Sequence, residues 1–435
     1  MSFRALSTED VIRVAMTRYL QFSCQRCGDV SWLNHFCSTV PDKFSEEDTK
    51  EVELMYFLLV SAEKIGSLQF DCASIFLNHC LNFSSKNGTS VQRIVHYFGK
   101  ALREKFDRET GRITSRGVKL KETMPLLRQE IMVSLRPALI ACYQELPFYP
   151  ATQFAEMQAI IERVASAKRV HFIDLEIRLG SQCTVLMQAL AQRELPLEHL
   201  TITAVNFGTM SKQDTEEIGK SLVHFAETLN LPFSFKVAMV TDNKDLNQDL
   251  FELNDAEAIA VHAFIILSHI VRQPHCLESL IRVLRKINPC VMVVTEVEAN
   301  YDVPSFEELF FEVLFYYSAL FDSLEVCMSE NDPNRMMFEE TFLGPCLLNI
   351  MVNEGEEKIN VKHMKIGAWR DIFKKFGLVE AELSMSSLYH AELVKKRFGG
   401  GIGDSCTLVR DGKGLIVGWK GSPQLSLSVW KFHQD

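Results

Sequence analysis

The sequence contains few of the residues and patterns that mark disordered, secreted or membrane-spanning chains. Of its 435 residues only 21 are glycine and 13 are proline, while 47% are hydrophobic. This composition supplies enough core to offset the entropy of ordering, which excludes extended disorder for most of the chain. No N-terminal segment combines a charged start, an apolar centre and a small-residue cleavage site, so we expect no secretory signal. The longest apolar stretches, such as Val261 to Val271, fall short of the about 20 residues that a membrane helix needs. We therefore expect a soluble intracellular protein without a membrane partner.

A basic excess is also missing. The chain carries 46 Lys and Arg side chains against 56 Asp and Glu, a formal net charge of −10. This balance argues against a protein whose whole surface binds nucleic acid, because neutralising phosphates requires a local basic excess at the least. A local basic face is still compatible with the total charge. We expect DNA to be reached mainly through a partner protein.

The twelve cysteines are scattered, and most lie in apolar runs, where a free thiol behaves as a small hydrophobic group. We predict reduced thiols in a cytosolic or nuclear protein. Cys24 and Cys27 form a CxxC pair that is followed by His35 and Cys37. One CxxC without a second is a weak zinc signal, because a structural zinc ion needs four tetrahedral ligands. We predict no metal site.

Up to about residue 165 the sequence predicts helices only, because apolar residues recur at helical spacing, as at Leu54, Leu58 and Leu59. The segment 108–121 instead has five basic residues, two glycines and little periodicity. We interpret it as a solvated linker; the alternative is a surface containing Arg112 and Arg116 that binds an anion or a partner. The pattern predicts an N-terminal helical segment over 1–51, to which we assign no role, and a helical cap over 52–150. The individual helices are predicted over 11–22, 52–64, 71–82, 91–106 and 124–145.

After residue 155, helices alternate with short β-branched runs, which is typical of right-handed βαβ units and a parallel sheet. Asp411-Gly412 between two short strands predicts a hairpin, and one more strand, 425–432, follows it. The prediction for 151–435 is thus an α/β core with a mostly parallel sheet and antiparallel C-terminal strands, which resembles the Rossmann-like fold of adenosylmethionine-dependent methyltransferases. The strands are predicted over 169–174, 200–206, 233–239, 258–261 and 290–296, and the helices over 155–167, 181–193, 215–230, 275–287 and 305–323.

In such folds ligands bind outside the carboxyl ends of the strands. An adenosylmethionine or dinucleotide site requires glycines after the first strand, because side chains there would occupy the ligand's volume. Counting from Asp174, Glu176 and Arg178 fill the two inner glycine positions and only Gly180 is left. We interpret Glu176 and Arg178 as an ion pair in the space that a cofactor would use. No cofactor is expected, and adenosylmethionine in particular is not.

Other polar residues follow the later strands. Asn206 stands where a ribose-binding carboxylate is expected, and we interpret it as a turn residue, with ribose binding as the alternative. Glu296 and Glu298 could do acid/base work if the pKa of one were raised, but nothing nearby in sequence supplies a nucleophile or a metal. His262, at a strand end, is a candidate for a polar site. We predict no catalytic residues, and the candidate cleft consists of these four residues with Asp174, Glu176, Arg178 and Gly180.

Several separated motifs in the right order give the sequence a strong family likeness over roughly 52–431. Val170-His-Phe-Ile-Asp174, followed by Gly180 and Gln182, looks like the VHIID signature of the plant GRAS proteins. The C-terminal Gly418–Gly421 and Ser428–Trp430 look like the SAW block. The chain departs from the family pattern at Arg178, Cys183 and His262, where Asn is usual in place of the histidine. Further matches are Gln158–Ile160, the PFYRE-type stretches Val294–Asn300 and Tyr316–Glu325, and Ala368–Arg370.

The resemblance implies a nuclear transcriptional regulator that acts as a scaffold or co-regulator through DNA-binding transcription factors and other GRAS chains, and that forms a homodimer. The leucine-rich regions of the family correspond here to 52–145 and 213–284, although core packing explains most of those leucines without a partner. Two alternatives remain open, a methyltransferase and a regulator that binds a small molecule in the cleft. The residues taken as interaction candidates are Leu54, Leu58, Leu59, Arg112, Arg116, Tyr316, Tyr317, Trp369, Trp419 and Trp430.

Overall fold

The computed structural model describes residues 6–23, 45–112, 135–254, 256–273, 275–352 and 362–433. The chain divides into two compact units, each made of two separate segments: unit 1 is Met1–Cys142 with Val303–Ile359, and unit 2 is Tyr143–Asp302 with Asn360–Asp435. The α-helices are α1 (Thr8–Ser23), α2 (Glu46–Gly66), α3 (Phe70–Phe83), α4 (Ser90–Glu109), α5 (135–145), α6 (Phe148–Arg163), α7 (Ser181–Ala191), α8 (Lys212–Thr228), α9 (Leu267–Ile270), α10 (Cys276–Ile287), α11 (Phe306–Cys327), α12 (Pro333–Phe338), α13 (Gly344–Val352), α14 (Ile366–Lys375), α15 (Met385–Lys396) and α16 (Ile402–Ser405). The strands are β1 (Arg169–Asp174), β2 (His199–Asn206), β3 (Phe233–Met239), β4 (Ala258–Phe264), β5 (Val291–Val297), β6 (Leu378–Ala381), β7 (Cys406–Asp411), β8 (Gly414–Trp419) and β9 (Ser422–Phe432).

The described part of unit 1 is helical, and α11 from the second segment packs among helices of the first. Phe98 of α4 makes edge-to-face contacts with Phe310 and Tyr317 of α11, at ring-centroid distances of 5.7 and 6.3 Å. The predicted helices over 52–64, 71–82 and 91–106 are all present within longer ones. Aromatic and aliphatic burial between the two segments therefore stabilises unit 1.

A buried ionic cluster also joins the two segments of unit 1. Arg93 of α4 is 1% exposed, and its Nε lies 3.1 Å from the carboxylate of Glu339, which opens a π-helical turn, Glu339–Leu343. Arg93 also pairs with Glu325, and Arg335 lies 3.3 Å from the same Glu325. Burial raises the pKa of Glu339 to about 7, against the opposing effect of the two arginines. Arg93 is thus paired with two carboxylates from a distant part of the chain.

Unit 2 is a nine-stranded sheet covered by helices. The order β3-β2-β1-β4-β5-β9-β8-β7 has five parallel strands followed by antiparallel ones, and β6 pairs with β9 beside that path. This confirms the predicted fold class. β1 has the predicted bounds, and β7 and β8 form the predicted hairpin at Asp411-Gly412. The four-residue β6 was not predicted.

Two other features differ from the expectations. The helix predicted over 155–167 is α6, which begins at Phe148. Its first turn tolerates Pro150, because the N–H groups of a first turn have no intrahelical partner and the one that proline lacks is not missed. The expected core 151–435 included 303–359, which belongs to unit 1 because the apolar face of α11 packs against α4. Within the residues that the structure describes, no helix is long and apolar enough to cross a bilayer.

Candidate functional site

The parallel strands bring several polar side chains to one edge of the sheet in unit 2. Asp174, the last residue of β1, is in register with His262 of β4, and Glu296 lies near the end of the adjacent β5. All three side chains are buried. The strand register therefore places Asp174 and His262 side by side without solvent between them.

His262 lies between two carboxylates. Its Nδ1 is 3.4 Å from Oδ1 of Asp174, and its Nε2 is 3.3 Å from Oε2 of Glu156 in α6. The ring lies between those of Phe172 and Phe264, at centroid distances of 5.7 and 6.4 Å. Burial acts to lower the pKa of His262, but Asp174 and Glu156 outweigh it and raise that pKa to about 10. The residue is an imidazolium at neutral pH, which makes it a poor general base there.

The remaining acceptor sites of Asp174 are used inside the loop that follows β1. Its Oδ1 accepts the backbone N–H of Glu176 at 3.1 Å, and its Oδ2 accepts Nε2 of Gln182 at 2.7 Å. Gly180 ends this loop with φ +73° as the N-cap of α7, and a Cβ there would lie 2.9 Å from Cγ2 of Ile218. The loop is thus fixed by its own contacts.

The positions where a cofactor-binding loop has glycine are filled by Glu176, which is buried, and Arg178, which is partly buried. Arg178 Nη2 donates to the carbonyl of Ile265 at 3.0 Å, and the guanidinium lies over the Phe264 ring at 5.6 Å. Glu176 accepts from Oγ1 of Thr209 at 2.8 Å. Burial raises the pKa of Glu176, although Arg178 acts to lower it. The predicted direct ion pair between Glu176 and Arg178 is not formed, because each side chain has other partners.

Asn206, at the end of β2, is also fully engaged. Its Nδ2 donates to the carbonyl of Met210 at 2.8 Å and to Oγ1 of Thr215 at 3.1 Å, and its Oδ1 accepts the N–H of Gly208 at 2.8 Å. The side chain holds the turn after β2 and has no donor left for a ribose hydroxyl. Asn206 is thus engaged within the chain, as Glu176 and Arg178 are.

Glu296 and Glu298 serve two different helix N-termini. Oε1 of Glu296 accepts the N–H groups of Leu267 and Ser268, at 2.6 and 3.4 Å, and Oε2 of Glu298 accepts the N–H of Ile366 at 2.9 Å. Burial raises the pKa of Glu296 to about 7 and also raises that of Glu298. The two carboxylates thus bond to different segments of the chain.

Two residues of this region, one buried and one partly buried, were missed by the sequence reasoning. Glu156 stands on the apolar stripe of α6 with Thr152, Ala155 and Ala159, and a charge on a buried stripe was the signal that could have found it. His363 is partly buried, and its ring lies 5.2 Å from that of Tyr301. Burial, assisted by His269 and Arg178, lowers the pKa of His363 to about 3, so it is neutral.

The interaction candidates are divided between the interior and the surface. Leu54, Leu58, Leu59 and Tyr317 are buried in unit 1, and Tyr316 is partly buried. Trp369, Trp419 and Trp430 are buried in unit 2. Substituting any of the buried residues would act first on stability.

Two sets of basic or thiol-bearing residues need separate mention. Arg112 is exposed and lies over the Phe106 ring at 5.0 Å. Arg116 lies outside the described residues, as do Cys24, Cys27, His35 and Cys37. Among the described residues, no cluster of His, Cys, Asp and Glu is arranged to hold a metal ion.

The comparisons with known proteins agree with one another. The model of the GRAS domain family matches residues 54–431. The chain is 28% identical over 403 residues to DELLA protein 1 of Medicago truncatula, covering 89% of this chain and 65% of that protein. It is 31% identical over 293 residues to DELLA protein GAI1 of Vitis vinifera, covering 66% of this chain and 49% of that protein. The chain thus spans less than two thirds of the length of either relative.

One solved structure supports the fold. The crystal structure of SCL7 from Oryza sativa matches with a TM-score of 0.72 and 21% sequence identity, covering 87% of this chain and 99% of that chain. At this identity the likeness concerns the fold alone.

Proposed function

We propose that this chain, which belongs to the GRAS domain family of plant transcriptional regulators, is a non-enzymatic nuclear scaffold that contacts DNA-binding transcription factors and other GRAS chains. The observation that carries the proposal is the closed strand edge of unit 2. In a sheet of this topology a small-molecule ligand would bind there, yet Glu176 and Asn206 are buried, Arg178 is partly buried, and all three are bonded within the chain.

The chemistry of that edge also favours a structural role. An imidazolium held between Asp174 and Glu156 neither accepts a proton at neutral pH nor approaches a substrate, since it is 1% exposed. Glu296 and Glu298 bond to helix N-termini. The polar groups of the edge thus hold the sheet and its helices in place, and the outer surface is the part available to partners.

The experiment that tests the scaffold is affinity capture from plant nuclear extract with the full chain as bait. A nuclease is added so that DNA cannot bridge bait and prey. We expect sequence-specific transcription factors and other GRAS chains among the captured proteins, and recovery of none would contradict the proposal. Sedimentation velocity tests the homodimer, and a monomer at micromolar concentration would remove that element.

Direct DNA binding is tested separately, with a mobility shift of the purified chain alone and together with a captured factor. We expect a shift only with the factor, since the net charge is −10. If the chain alone shifts DNA, the variant Arg112→Glu tests whether Arg112 makes the contact. Lys220→Glu, a charge reversal on α8 in unit 2, is its control. A shift by the chain alone that Arg112→Glu abolishes would refute mainly indirect binding.

Calorimetry with adenosylmethionine tests the enzyme alternative and the small-molecule alternative. We expect no saturable heat. Saturable binding that is changed by Glu176→Gln, and not by the exposed control Lys220→Glu, would instead show that the strand edge opens for a ligand.

A further inference from the structure

The outward face of α15 in unit 2 carries an apolar stripe that the core does not use. Met385, Tyr389 and Leu393 are 74%, 59% and 41% exposed. Their i, i+4, i+8 spacing places them on one side of the helix. Side chains of this kind, exposed in a row instead of singly, are typical of a binding surface. Tyr is enriched among residues that dominate interface energies, and Met adapts its shape to different partners.

The opposite face fixes α15 firmly. Ser387 and Ala391 are buried, the Ser384 hydroxyl caps the helix by accepting the N–H of Ser387 at 3.0 Å, and it donates to Glu162 of α6 at 2.8 Å. Gln158 of α6 donates to the Ser386 hydroxyl at 3.1 Å. The stripe is therefore preformed, and a partner does not have to order it on binding.

Two cations extend the stripe at the C-terminal end of the helix. Lys396 lies 11 residues after Met385 and so returns to the same face of the helix, and Arg397 follows it. Both are exposed, and neither forms an ion pair with any residue that the structure describes, whereas Lys395 lies 3.7 Å from Glu392. Surface cations without partners are available to an acidic ligand.

The surface beyond the cations leaves room for a partner. Gly399, Gly400 and Gly401 follow after Phe398 and are exposed, and a Cβ at any of them would meet nothing within 4 Å. These three glycines therefore leave open space beside the C-terminal end of the helix.

We propose that this face of α15 binds an acidic amphipathic helix of a partner protein. Apolar residues of the partner, spaced at three to four positions, cover Met385, Tyr389 and Leu393, and its carboxylates meet Lys396 and Arg397. The face from Met385 to Arg397 is about 18 Å long, which corresponds to about 12 residues of partner helix. The inference deepens the proposed function, on which it rests, by naming the surface and the chemistry of one class of partner.

A membrane and a second copy of the chain fit this surface less well. Three apolar side chains and two cations supply little of the area and charge that stable membrane association needs, and a net charge of −10 repels anionic lipid. A second copy would present the same two cations if it docked symmetrically through this face. Charge complementarity therefore selects an acidic helix.

The test uses a displayed library of 18-residue helical peptides and the full chain as target. Selection on the wild type alternates with counter-selection on the variant Met385→Glu/Tyr389→Glu/Leu393→Glu. We expect enriched peptides with apolar residues at i, i+3 or i+4 and i+7 or i+8 and with Asp or Glu near one end. No enrichment over the counter-selection, or a basic consensus, would overturn the proposal.

An enriched peptide is then made with a fluorescent label and titrated by anisotropy. Tyr389→Ala/Leu393→Ala and Lys396→Glu/Arg397→Glu should each weaken binding about tenfold or more, and the effect of the charge pair should shrink at 1 M salt, where the Debye length is about 3 Å. The matched control on α8, Val223→Ala/Lys220→Glu, should leave the affinity unchanged. Thermal melts verify that the variants fold, since exposed substitutions usually change stability by about 0.5 kcal/mol or less.

Three other outcomes would overturn the inference. One is equal weakening by the α8 control. The second is stronger binding of the wild type to vesicles of anionic phospholipid than to the peptide, and the third is self-association that the α15 variants abolish. The nuclear capture experiment keeps the two proposals apart: if wild type and α15 variants capture the same transcription factors and no peptide is selected, the α15 surface is refuted while the scaffold stands. If the wild type captures no transcription factor, the scaffold fails, whatever the peptides show.

Discussion

Replacing His262 by asparagine tests whether the buried ion triad of unit 2 stabilises the fold. Asn can donate to one of the two carboxylates but carries no charge, so Asp174 and Glu156 would lose the cation between them. At 3.3 and 3.4 Å, and with an effective dielectric constant of about 20, each pair contributes roughly 5 kcal/mol of attraction before desolvation.

The net cost of the substitution is smaller than that sum, because burying each ion costs several kcal/mol. Removing one partner of a buried pair typically destabilises a protein by about 3–5 kcal/mol. This is a large part of the free energy of unfolding of a native protein, which is usually about 5–15 kcal/mol. With a urea m-value of about 2–3 kcal/mol/M, the unfolding midpoint should fall by roughly 1–2 M.

The pH dependence gives the prediction a second, independent measure. The pKa of His262 is raised to about 10 in the folded state, above the about 6.5 of an unfolded histidine. The stability that its charge contributes is therefore complete below pH 6.5 and is lost as the pH rises through about 10. The difference between wild type and His262→Asn should shrink steadily over this window.

Tryptophan fluorescence during urea unfolding is the assay, because three of the four tryptophans, Trp369, Trp419 and Trp430, are buried in unit 2. Unfolding is followed at pH 6.5, 8.0 and 9.5, with the exposed His224→Asn on α8 as the control, for which we expect about 0.5 kcal/mol or less. The reasoning would be refuted if His262→Asn lowered the free energy of unfolding by less than about 1 kcal/mol at pH 6.5. It would also be refuted if the difference in stability between wild type and variant did not change with pH.

Three further predictions concern other parts of the chain. Arg93→Met leaves the buried Glu339 without its nearest cation and should cost unit 1 about 3–5 kcal/mol, measured by circular dichroism in urea; a loss no larger than that of the exposed Lys86→Met would contradict this. Gly180→Ala should cost about 1 kcal/mol or more, because of its φ of +73° and the contact with Ile218; an unchanged thermal midpoint would count against the loop geometry. Exposed Cys72 should react with a thiol reagent at pH 8 before the buried Cys80 does. By contrast, burial raises the pKa of the Cys80 thiol to about 12, and faster reaction of a buried thiol would show that unit 1 opens.

Much of the fold could be predicted from local patterns, and the failures have a common physical cause. β1 was predicted to the residue, because its β-branched run ends at a charged residue and is followed by Gly180 and a helix. β6 was missed since its four residues are too few to establish a period, and it exists only because β9 offers an edge to pair with. Likewise, nothing local in 303–359 indicates that α11 packs with α4 and not with the sheet.

In the candidate site, too, some features could be predicted from the local sequence and others depend on residues far away in the chain. That Glu176 and Arg178 stand where a cofactor-binding loop has glycine was readable from residue identity alone. The charge state of His262 was not, because it depends on Glu156, which is 106 residues away in sequence. Direct pairing of Glu176 with Arg178 was expected from their proximity in sequence, but Thr209 and the carbonyl of Ile265 are better placed.

The discontinuity of both units has a consequence for how the chain is made. Unit 1 cannot bury the face of α4 until α11 has been synthesised, and the 160 residues of Tyr143–Asp302 separate its two segments, which at 5–20 residues per second is a delay of roughly 10–30 s. The sheet of unit 2 waits even longer, because β9 is formed last and lies between β5 and β8. For much of its synthesis the nascent chain therefore exposes apolar helix faces and an open strand edge, which makes it a natural client for chaperones at the ribosome.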